Sequence, residues 1–399
     1  MKFICAPMAT ISHPAFRILV EKFGSCDEYY NEMINAPSLL NGGPFEKFYI
    51  NPFPVPEKMV WQLTGKDISS FLKAIPIIHS LPGIGIDLNM GCCAPDIVRS
   101  GAGIAWMEKP LSETESLVKE AGEIIRDLNA RNAFLDGKTV FGADSTLRGE
   151  KTVFGAENAL RGCETVCGAE SAFRAGETVC NSEDCLSDSE NGSFGGYLDS
   201  ALQKKRFSVK CRLGSDDFTD ESFFSFTDML VKNGVERITL HPRTHKQKYR
   251  DKPRYEYAEK LALRYKNENV EVVVNGDISD EKSFQTVKTL CPDCCGVMIG
   301  RMAVQKPWIF ARLNNRMPEK LPSAQEIALA YVDDVVKYQP PEFWKTRLQR
   351  FFTYYCQNFS FAHYFSSQVL NASDPEDAKK RVEEYFLKVP EDLKINFYK

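Results

Sequence analysis

Short strand patterns alternate with helix patterns along this chain, and this alternation constrains the fold more than any other feature. Each strand pattern is an apolar run that ends in polar or small residues. The alternation predicts a parallel sheet, and eight such units within about 300 residues predict an α/β fold of the (β/α)8 TIM-barrel type rather than an open sheet. The predicted strands are Lys2–Ala6, Cys26–Tyr30, Met59–Leu63, Ile84–Asn89, Ser208–Arg212, Arg237–His241, Val272–Asn275 and Gly296–Ile299.

Helical periodicity fills most of the segments between these strands and all of the C-terminal part. The predicted barrel helices are Asp67–Ser80, Ser112–Leu128, Asp220–Asn233, Arg254–Lys266 and Asp280–Leu290. From Leu321 onward only helices are predicted, at Ser323–Lys337, Pro341–Phe359, His363–Leu370 and Pro375–Lys388. We therefore expect a barrel domain over residues 1–316 and an all-helical domain over 317–399.

A repeat interrupts the barrel pattern. A Thr-Val-Phe/Cys motif, followed by Gly-Ala in its first three copies, recurs every 13 residues, starting at Thr139, Thr152, Thr165 and Thr178. This period matches no common solenoid, so a flexible, repeat-containing insertion is predicted over 131–206. The insertion also holds Cys163, Cys167, Cys180 and Cys185. Zinc binding is an alternative interpretation of these cysteines, although their spacing is unusual and no histidine lies nearby.

Composition and charge narrow the functional classes. The 399 residues carry a net charge of −4 at pH 7 and no apolar run long enough to cross a membrane. Because residues 138–199 hold 11 acidic and 5 basic side chains, the rest of the chain is net +2, which is compatible with a nucleic-acid partner. The N-terminus does not resemble a signal peptide, and the 13 cysteines suit a reducing compartment. We expect a cytoplasmic, monomeric protein with no membrane or protein partner.

The segment from Ile84 to Met107 carries the strongest chemical signal. An apolar strand runs into Asn89 and then into a Gly-Cys-Cys turn that contains Cys92. A thiol at the mouth of a barrel strand suits chemistry better than a structural role, since structural cysteines usually lie within a strand. Gly101 and Gly103 follow, where the backbone can approach a neighbouring group closely.

Polar residues that end other strands predict a cofactor site at the same mouth. Gln62 ends the third strand, and its amide could pair with an imide edge. Lys210 lies within an apolar strand pattern, so its ammonium must meet negative charge. His241 and Arg243 end the sixth strand and suit phosphate or RNA. Small or turn-forming residues after the first strand let a planar ring approach the backbone; they are Pro7, Met8 and Ala9.

The last two strands predict a phosphate site. Phosphate sites of such barrels commonly form in the loops after strands seven and eight. The seventh strand ends in Asn275, Gly276 and Asp277, and the eighth ends in Gly300 and Arg301. The glycines free backbone N–H groups and the arginine supplies a cation. No Walker or Rossmann glycine motif occurs, so an ATPase or a separate dinucleotide domain is not expected.

Other candidates have two interpretations each. Lys345 and Arg347 lie on a predicted helix where bases and aromatics interleave, so they either contact RNA phosphates or form a solvated face. Cys291 and Cys294 have the spacing of a redox or metal motif but lie away from the predicted mouth, so we expect them to be structural and predict no metal site.

Taken together and in this order, the motifs resemble those of the tRNA-dihydrouridine synthases, and the tail is most similar to the bacterial C-type subgroup. The motifs are APM at Ala6, EM at Glu32, WQLTG at Trp61, NMGC at Asn89, VKCRLG at Val209, HPRT at His241, NGD at Asn275 and IGR at Ile299. Cys93 stands where that family usually has proline.

This resemblance implies a flavoenzyme that reduces a uridine of the tRNA D-loop. FMN would be reduced by NADPH and would pass a hydride to C6 of uracil, Cys92 would protonate C5, and Asn89 would orient the base or the flavin. The resemblance implies that the helical tail and the basic barrel rim hold tRNA, with Arg243, Lys345 and Arg347 as candidate contacts. The implied FMN ligands are Pro7, Met8, Ala9, Gln62, Lys210, His241, Asn275, Gly276, Asp277, Gly300 and Arg301.

Two alternatives remain at this level. Another FMN barrel acting on free pyrimidines would share the phosphate site but would not need a basic helical tail. A tRNA-binding protein without catalysis would not need Cys92, Lys210 and Arg301 together.

Overall fold

A closed barrel of eight parallel strands forms the centre of the molecule. The computed structural model describes residues 1–140, 203–215, 217–247 and 249–397. Its strands are β1 Lys2–Cys5, β2 Glu28–Tyr30, β3 Ile34–Asn35, β4 Met59–Thr64, β5 Gly85–Met90, β6 Arg206–Cys211, β7 Arg237–Leu240, β8 Glu271–Asn275 and β9 Gly296–Ile299. The pairing order is β2-β1-β9-β8-β7-β6-β5-β4, and β4 also pairs with β2, which closes the ring. The short β3 pairs only with the end of β4.

Helices surround the barrel and continue beyond it. The first seven are α1 Pro14–Lys22, α2 Ala36–Asn41, α3 Glu46–Tyr49, α4 Ile68–His79, α5 Pro95–Arg99, α6 Ala105–Glu108 and α7 Leu111–Val140. The next five are α8 Asp220–Lys232, α9 Glu256–Arg264, α10 Glu281–Leu290, α11 Arg301–Gln305 and α12 Ile309–Leu313. The tail contains α13 Ala324–Tyr338, α14 Pro341–Tyr355, α15 Ala362–Leu370 and α16 Pro375–Lys388. The local sequence determines where several of these helices begin. Thr219, Asp280 and Ser323 form capping boxes at the N-termini of α8, α10 and α13.

The predicted α/β barrel with a helical C-terminal region is confirmed. All eight predicted strands are present, with ends shifted by at most two residues. The helix predicted at Ser112–Leu128 instead runs to Val140, so the predicted insertion begins inside α7 and ends on the first residue of β6. The sequence patterns missed β3 and the short elements before β4. The repeat from residue 141 onward and the cysteines at 163, 167, 180 and 185 lie outside the described residues.

Charged side chains close the end of the barrel at which the strands begin. Arg237 is fully buried, with its Nη2 2.9 Å from Glu28 and its Nε 2.8 Å from Glu271. Arg206 lies 2.7 Å from Glu28, and Lys2 lies 3.0 Å from Glu271. Burial by itself would raise the pKa of Glu28, but the hydrogen bonds and charges of Arg237 and Arg206 lower it to about 2. We call this layer of charged side chains the floor of the barrel. The opposite end, at which the strands end, is the mouth.

The helical tail is joined to the barrel through a buried ion pair. Arg347 of α14 places its Nη1 2.6 Å from Oε1 of Glu32, in the loop after β2, and both residues are buried. The other oxygen of Glu32 accepts the backbone N–H of Thr10, in the loop after β1, at 2.7 Å. Glu32 therefore ties the tail to two loops of the barrel mouth. Across the described ranges, no helix is long and apolar enough to span a membrane.

We expect Glu28→Gln to flatten the loss of stability in acid. Because the pKa of Glu28 is depressed from 4.5 to about 2, its contribution is complete above pH 4.5 and is lost as the pH falls towards 2. The shift corresponds to about 3 kcal/mol. Urea unfolding at a series of pH values measures this as a difference between wild-type and variant slopes. The exposed Glu268→Gln should keep the wild-type slope, and an unchanged slope in Glu28→Gln would contradict the assignment.

Candidate active site

Six of the predicted site residues form one ring at the mouth. Alternate residues of a strand point to opposite sides, so residues two positions beyond an interior side chain also point inward. Val60, Val273 and Met298 belong to a buried interior cluster, which places the residues two positions further on at the mouth. Asn89 and Lys210 are direct neighbours in the pairing of β5 with β6. The ring consists of Gln62, Asn89, Lys210, His241, Asn275 and Gly300.

A chain of hydrogen bonds runs from the Cys92 loop into the barrel. The Oδ1 of Asn89 accepts the backbone N–H of Cys92 at 2.9 Å, and its amide nitrogen donates to Gln62 at 2.8 Å. Gln62 donates to Asp87 at 2.8 Å, and Ser208 donates to the other oxygen of Asp87 at 2.7 Å. Each amide orientation is thereby fixed by its neighbours. Gln62 is fully buried, and after these two bonds its second N–H and one lone pair of its oxygen remain for a ligand.

Asp87 is a functional candidate that the sequence analysis missed. It is fully buried in the middle of β5, and burial raises its pKa to about 6 although Gln62, Ser208 and Lys210 all favour the carboxylate. A carboxyl group within an apolar strand requires polar partners, by the same argument that singled out Lys210. Asp87 is the inner end of the hydrogen-bond chain that positions Cys92.

Cys92 lies half-buried just beyond β5. Burial raises the pKa of its thiol, while the charges of Lys210 and Arg212 lower it by smaller amounts. The backbone packs tightly around it, since a Cβ on Gly103 would lie 2.5 Å from the Cys92 carbonyl oxygen. The thiol is therefore protonated at neutral pH and held in a fixed loop, which suits a proton donor.

Lys210 supplies positive charge inside the mouth. Burial, and then the charge of Arg212, lower its pKa to about 8, whereas Asp87 raises it. Its ammonium makes no hydrogen bond with any residue of the described ranges. Lys210 is half-buried, and a partly desolvated cation without such a partner favours an anionic or strongly polar ligand at this position.

Arg243 holds His241 and Asp277 in place. Its Nη1 donates to Nε2 of His241 at 3.0 Å and to Asp277 at 3.1 Å, and its Nε donates to the carbonyl of Asp251 at 2.6 Å. Burial and then the charges of Arg212, Lys210 and Arg243 move the pKa of His241 far below its ordinary value, so the ring is neutral. With Nε2 accepting, Nδ1 carries the proton and can donate to a ligand.

The loops after β8 and β9 form a small cradle. Gly276 has a φ of +133°, and a Cβ there would meet His241 and Pro253, each at 3.2 Å. A Cβ on Gly300 would meet Ala6 at 3.4 Å and Met8 at 3.5 Å, so the turn after β1 packs against this glycine. That turn, which includes Pro7 and Ala9, is fixed by Ser12, whose hydroxyl accepts the Met8 N–H at 3.0 Å.

A cationic side chain borders this cradle on its exposed side. Arg301 lies 3.2 Å from Asp277, is nearly half exposed, and covers the ring of Tyr249 at 4.1 Å. Asn275 donates to the carbonyl of Met298 at 2.8 Å, which fixes the ends of β8 and β9 side by side. Backbone N–H groups and an exposed guanidinium at one point suit a phosphate.

The structure does not bring the predicted RNA contacts together. Lys345 is exposed on α14, whereas Arg347 is buried against Glu32 and Arg243 is buried at the mouth. Neither arginine presents an exposed guanidinium, because their hydrogen bonds serve Glu32 and Asp277 instead. Both therefore have positioning roles in this fold.

A basic loop at the mouth was missed in the sequence. Residues 243–254 contain six lysines and arginines, a charge run that composition alone could have revealed. Within it, Lys246, Arg250 and Arg254 line a cleft of about 450 Å³ together with Phe218. Arg254 also covers the rings of Phe218 and Tyr257. Lysine and arginine side chains interleaved with aromatic rings form a surface suited to the phosphate backbone of a nucleic acid.

Comparison with known proteins identifies a family. The model of the family described as Dihydrouridine synthase (Dus) matches residues 4–123 and 198–389. A probable tRNA-dihydrouridine synthase of Helicobacter pylori is 26% identical over 337 residues, which cover 84% of this chain and 76% of the relative. One from Aquifex aeolicus is 25% identical over 320 residues, covering 78% and 72%. The old yellow enzyme structure from Trypanosoma cruzi matches 85% of this chain and 93% of its own with a TM-score of 0.38 and 8% identity, from which we draw no conclusion.

We expect Gly103→Ala to destabilise the protein more than Gly101→Ala. Both glycines have positive φ values, +64° and +82°, so alanine costs about 1–2 kcal/mol at either position. Only the Gly103 Cβ collides with the Cys92 carbonyl, while the Gly101 Cβ would find Lys66 at 3.7 Å. Urea unfolding compares the two losses, and iodoacetamide labelling of Cys92 reports the displaced loop. Equal losses and equal labelling would show that Gly103 is not packed against Cys92.

Proposed function

Because this chain belongs to the dihydrouridine synthase family, we propose that it reduces the C5=C6 bond of a uridine in tRNA, with FMN as its resident cofactor and NADPH as reductant. The observation that carries the proposal is the half-buried thiol of Cys92, whose backbone N–H is held by Asn89 at 2.9 Å beside the inward ammonium of Lys210. Cys92, Lys210 and Arg301 all lie within the residues matched by the family model.

The residues at the mouth fit FMN. Lys210 offers a cation to the polar edge of an isoalloxazine, where reduction adds negative charge. The cradle at Gly276 and Gly300, bordered by Arg301, offers backbone N–H groups and a guanidinium to the phosphate. His241 and Asn275 line the wall between these two points, and the turn at Pro7, Met8 and Ala9 covers one side. When bound, FMN would supply the hydride for C6 of the uracil.

Cys92 supplies the other hydrogen. Hydride addition at C6 leaves an enolate, and the Sγ proton of Cys92 is transferred to C5, so the product gains two hydrogens and the sulfur becomes a thiolate. The charges of Lys210 and Arg212 favour that thiolate once it forms, and solvent returns the proton. Since burial raises the pKa above its ordinary 9.0, the protonated form required for the step is present throughout the neutral range.

Asn89 and Asp87 act as positioning residues in this step. Asn89 holds the Cys92 backbone, and the chain through Gln62 to Asp87 fixes the amide of Asn89 in turn. A proton donor gives a large rate gain only when its geometry is fixed before the reaction. This arrangement supports an acid at Cys92 rather than at Cys93, whose backbone has no such anchor among the hydrogen bonds described.

Two surfaces would hold the tRNA. The basic loop over 243–254 borders the mouth, and exposed Lys345 lies on α14, which the Glu32–Arg347 pair ties to the same rim. We assign residues 1–316 to the flavin-binding barrel and 317–399 to a tRNA-binding helical domain. We also propose that the reaction takes place in the cytoplasm.

A target uridine inside a folded tRNA must be flipped into the mouth of the barrel to reach Cys92.

Loss of the Cys92 thiol should abolish the reaction while leaving the flavin in place. We expect Cys92→Ala to form dihydrouridine about 10²–10⁴-fold more slowly than wild type, the range for loss of a general acid. The measurement is mass spectrometry of unmodified tRNA incubated with protein and NADPH, alongside the flavin absorption of each protein. Cys93→Ala is the matched control and should keep most of the activity.

Each other outcome has a definite meaning. If Cys93→Ala were inactive and Cys92→Ala active, the proton donor would be Cys93 and not Cys92. A flavin-loaded wild type that reduces free pyrimidines but not tRNA would replace the tRNA assignment. Purified protein without flavin, and unable to take up added FMN, would exclude the oxidoreductase assignment.

Removing one basic side chain from either of the two proposed tRNA-binding surfaces should weaken tRNA binding in a salt-dependent way. Arg250→Gln and Lys345→Gln should each lower the slope of log affinity against log salt by about 1, because each removes one phosphate contact. Both side chains are exposed. Lys204→Gln, at the floor end of the barrel, is the control and should leave the slope unchanged. Filter binding over a salt series measures the slopes, and parallel slopes for all four proteins would remove these surfaces from the interface.

A further inference from the structure

A second cluster of reactive side chains lies outside the mouth. It joins Glu259 of α9, Cys291 directly after α10 and Cys294 shortly before β9. One carboxylate oxygen and the two sulfur atoms all lie within 4.8 Å of one another. Both thiols are buried and Glu259 is half-buried. These residues take no part in the proposed reaction.

The groups in this cluster face one another rather than ordinary partners. The sulfur atoms of Cys291 and Cys294 and a carboxylate oxygen of Glu259 converge on one point between α9 and α10. The Asp293 backbone N–H also points at Glu259, at 3.3 Å, and the Cys291 sulfur lies 3.4 Å from the Tyr255 carbonyl. The Lys266 ammonium lies 3.0 Å from Asp293, whereas Glu259 forms no ion pair with a residue of the described ranges. A divalent cation bound by the two sulfur atoms and the Glu259 carboxylate would supply that positive charge.

The donor set selects a class of metal. Two sulfurs and one carboxylate oxygen suit zinc and similar borderline-soft ions, whereas magnesium and calcium prefer oxygen ligands alone. Cysteines separated by two residues are the usual half of a structural zinc site. The sequence analysis expected a structural role for this pair because it lies away from the predicted mouth. The third ligand comes from a different helix, more than thirty residues earlier in the chain, so the spacing of the cysteines could not reveal it.

We propose that Cys291, Cys294 and Glu259 form a structural site for a divalent transition metal of the zinc class, with Asp293 or a water molecule as the fourth ligand. Binding releases the two thiol protons to solvent and forms two thiolate–metal bonds, with no change of oxidation state. The metal would connect α9, α10 and the start of β9. Tyr255, whose carbonyl faces the Cys291 sulfur, donates its hydroxyl to Gly276 at 2.7 Å, so the site would also brace the predicted phosphate cradle.

Cobalt substitution tests the proposal on the full-length protein. Metal-free wild type titrated with Co²⁺ should develop a thiolate-to-cobalt charge-transfer band and tetrahedral d–d bands that saturate at one equivalent from this site, and Zn²⁺ should displace them. Cys291→Ser and Cys294→Ser should lose these bands. Glu259→Gln should weaken binding while keeping both sulfurs, and Zn²⁺ should raise the melting temperature of wild type but not of the cysteine variants.

The controls separate this site from other thiols and from misfolding. Cys356→Ser removes a buried thiol of the tail and should keep the full cobalt spectrum. Circular dichroism checks the fold of every variant, and Glu259→Gln, which leaves the buried thiols intact, remains informative if the cysteine variants fail to fold. A cobalt spectrum of wild-type intensity in Cys291→Ser and Cys294→Ser, a wild type without thiolate bands, or a Cys291–Cys294 disulfide in freshly isolated protein would each overturn the proposal.

Discussion

The direction of side chains along the barrel strands is the constraint on which the rest of the structure depends. Every second residue points inward, so a slip of one residue in any strand would turn its mouth residue outward and place a neighbour inside. The pairing of β2 with β4 closes the ring and removes the freedom for such a slip. Asn89 and Lys210 are register partners in neighbouring strands, and Gln62 and Asn275 point inward because each follows an interior valine, Val60 or Val273, by two positions. The charged floor closes one end of the barrel, which leaves the mouth as the place for a ligand.

Buried polar groups within this ring make the mouth rigid rather than merely polar. Asp87, Gln62 and Asn89 satisfy one another in sequence, and leaving any one of them unpaired would cost about 1–3 kcal/mol. The chain ends at the backbone of Cys92, so the position of the proposed proton donor is determined by a network that starts in the middle of the barrel. Lys210 is the exception, since its ammonium has no hydrogen-bonding partner among the described residues. A site in which one half-buried cation lacks such a partner is suited to an anionic or polar ligand.

The sequence predicted the barrel well because the information for it is local. Each strand is a short apolar run with a polar end, and several helices begin at a capping box, so a window of about ten residues is enough. The roles of Arg243 and Arg347 could not be found in this way. Their charge is evident in the sequence, but their partners lie 34 residues away at Asp277 and 315 residues away at Glu32. Asp87 and the basic loop are different cases. A carboxyl group within an apolar strand and a run of six basic residues over 243–254 are both evident in the sequence.

The joint at Glu32 links the two halves of the proposed function. One carboxylate receives Arg347 from the tail and the Thr10 N–H from the loop that follows Pro7, Met8 and Ala9. Breaking a buried pair of this kind leaves an uncompensated charge, at a cost of about 3–5 kcal/mol, so the tail cannot shift freely relative to the mouth. Under the proposed function, RNA held by α14 therefore meets Cys92 at a fixed distance. Under the same proposal, the selection of the target uridine would be set by where the tail is joined to the barrel.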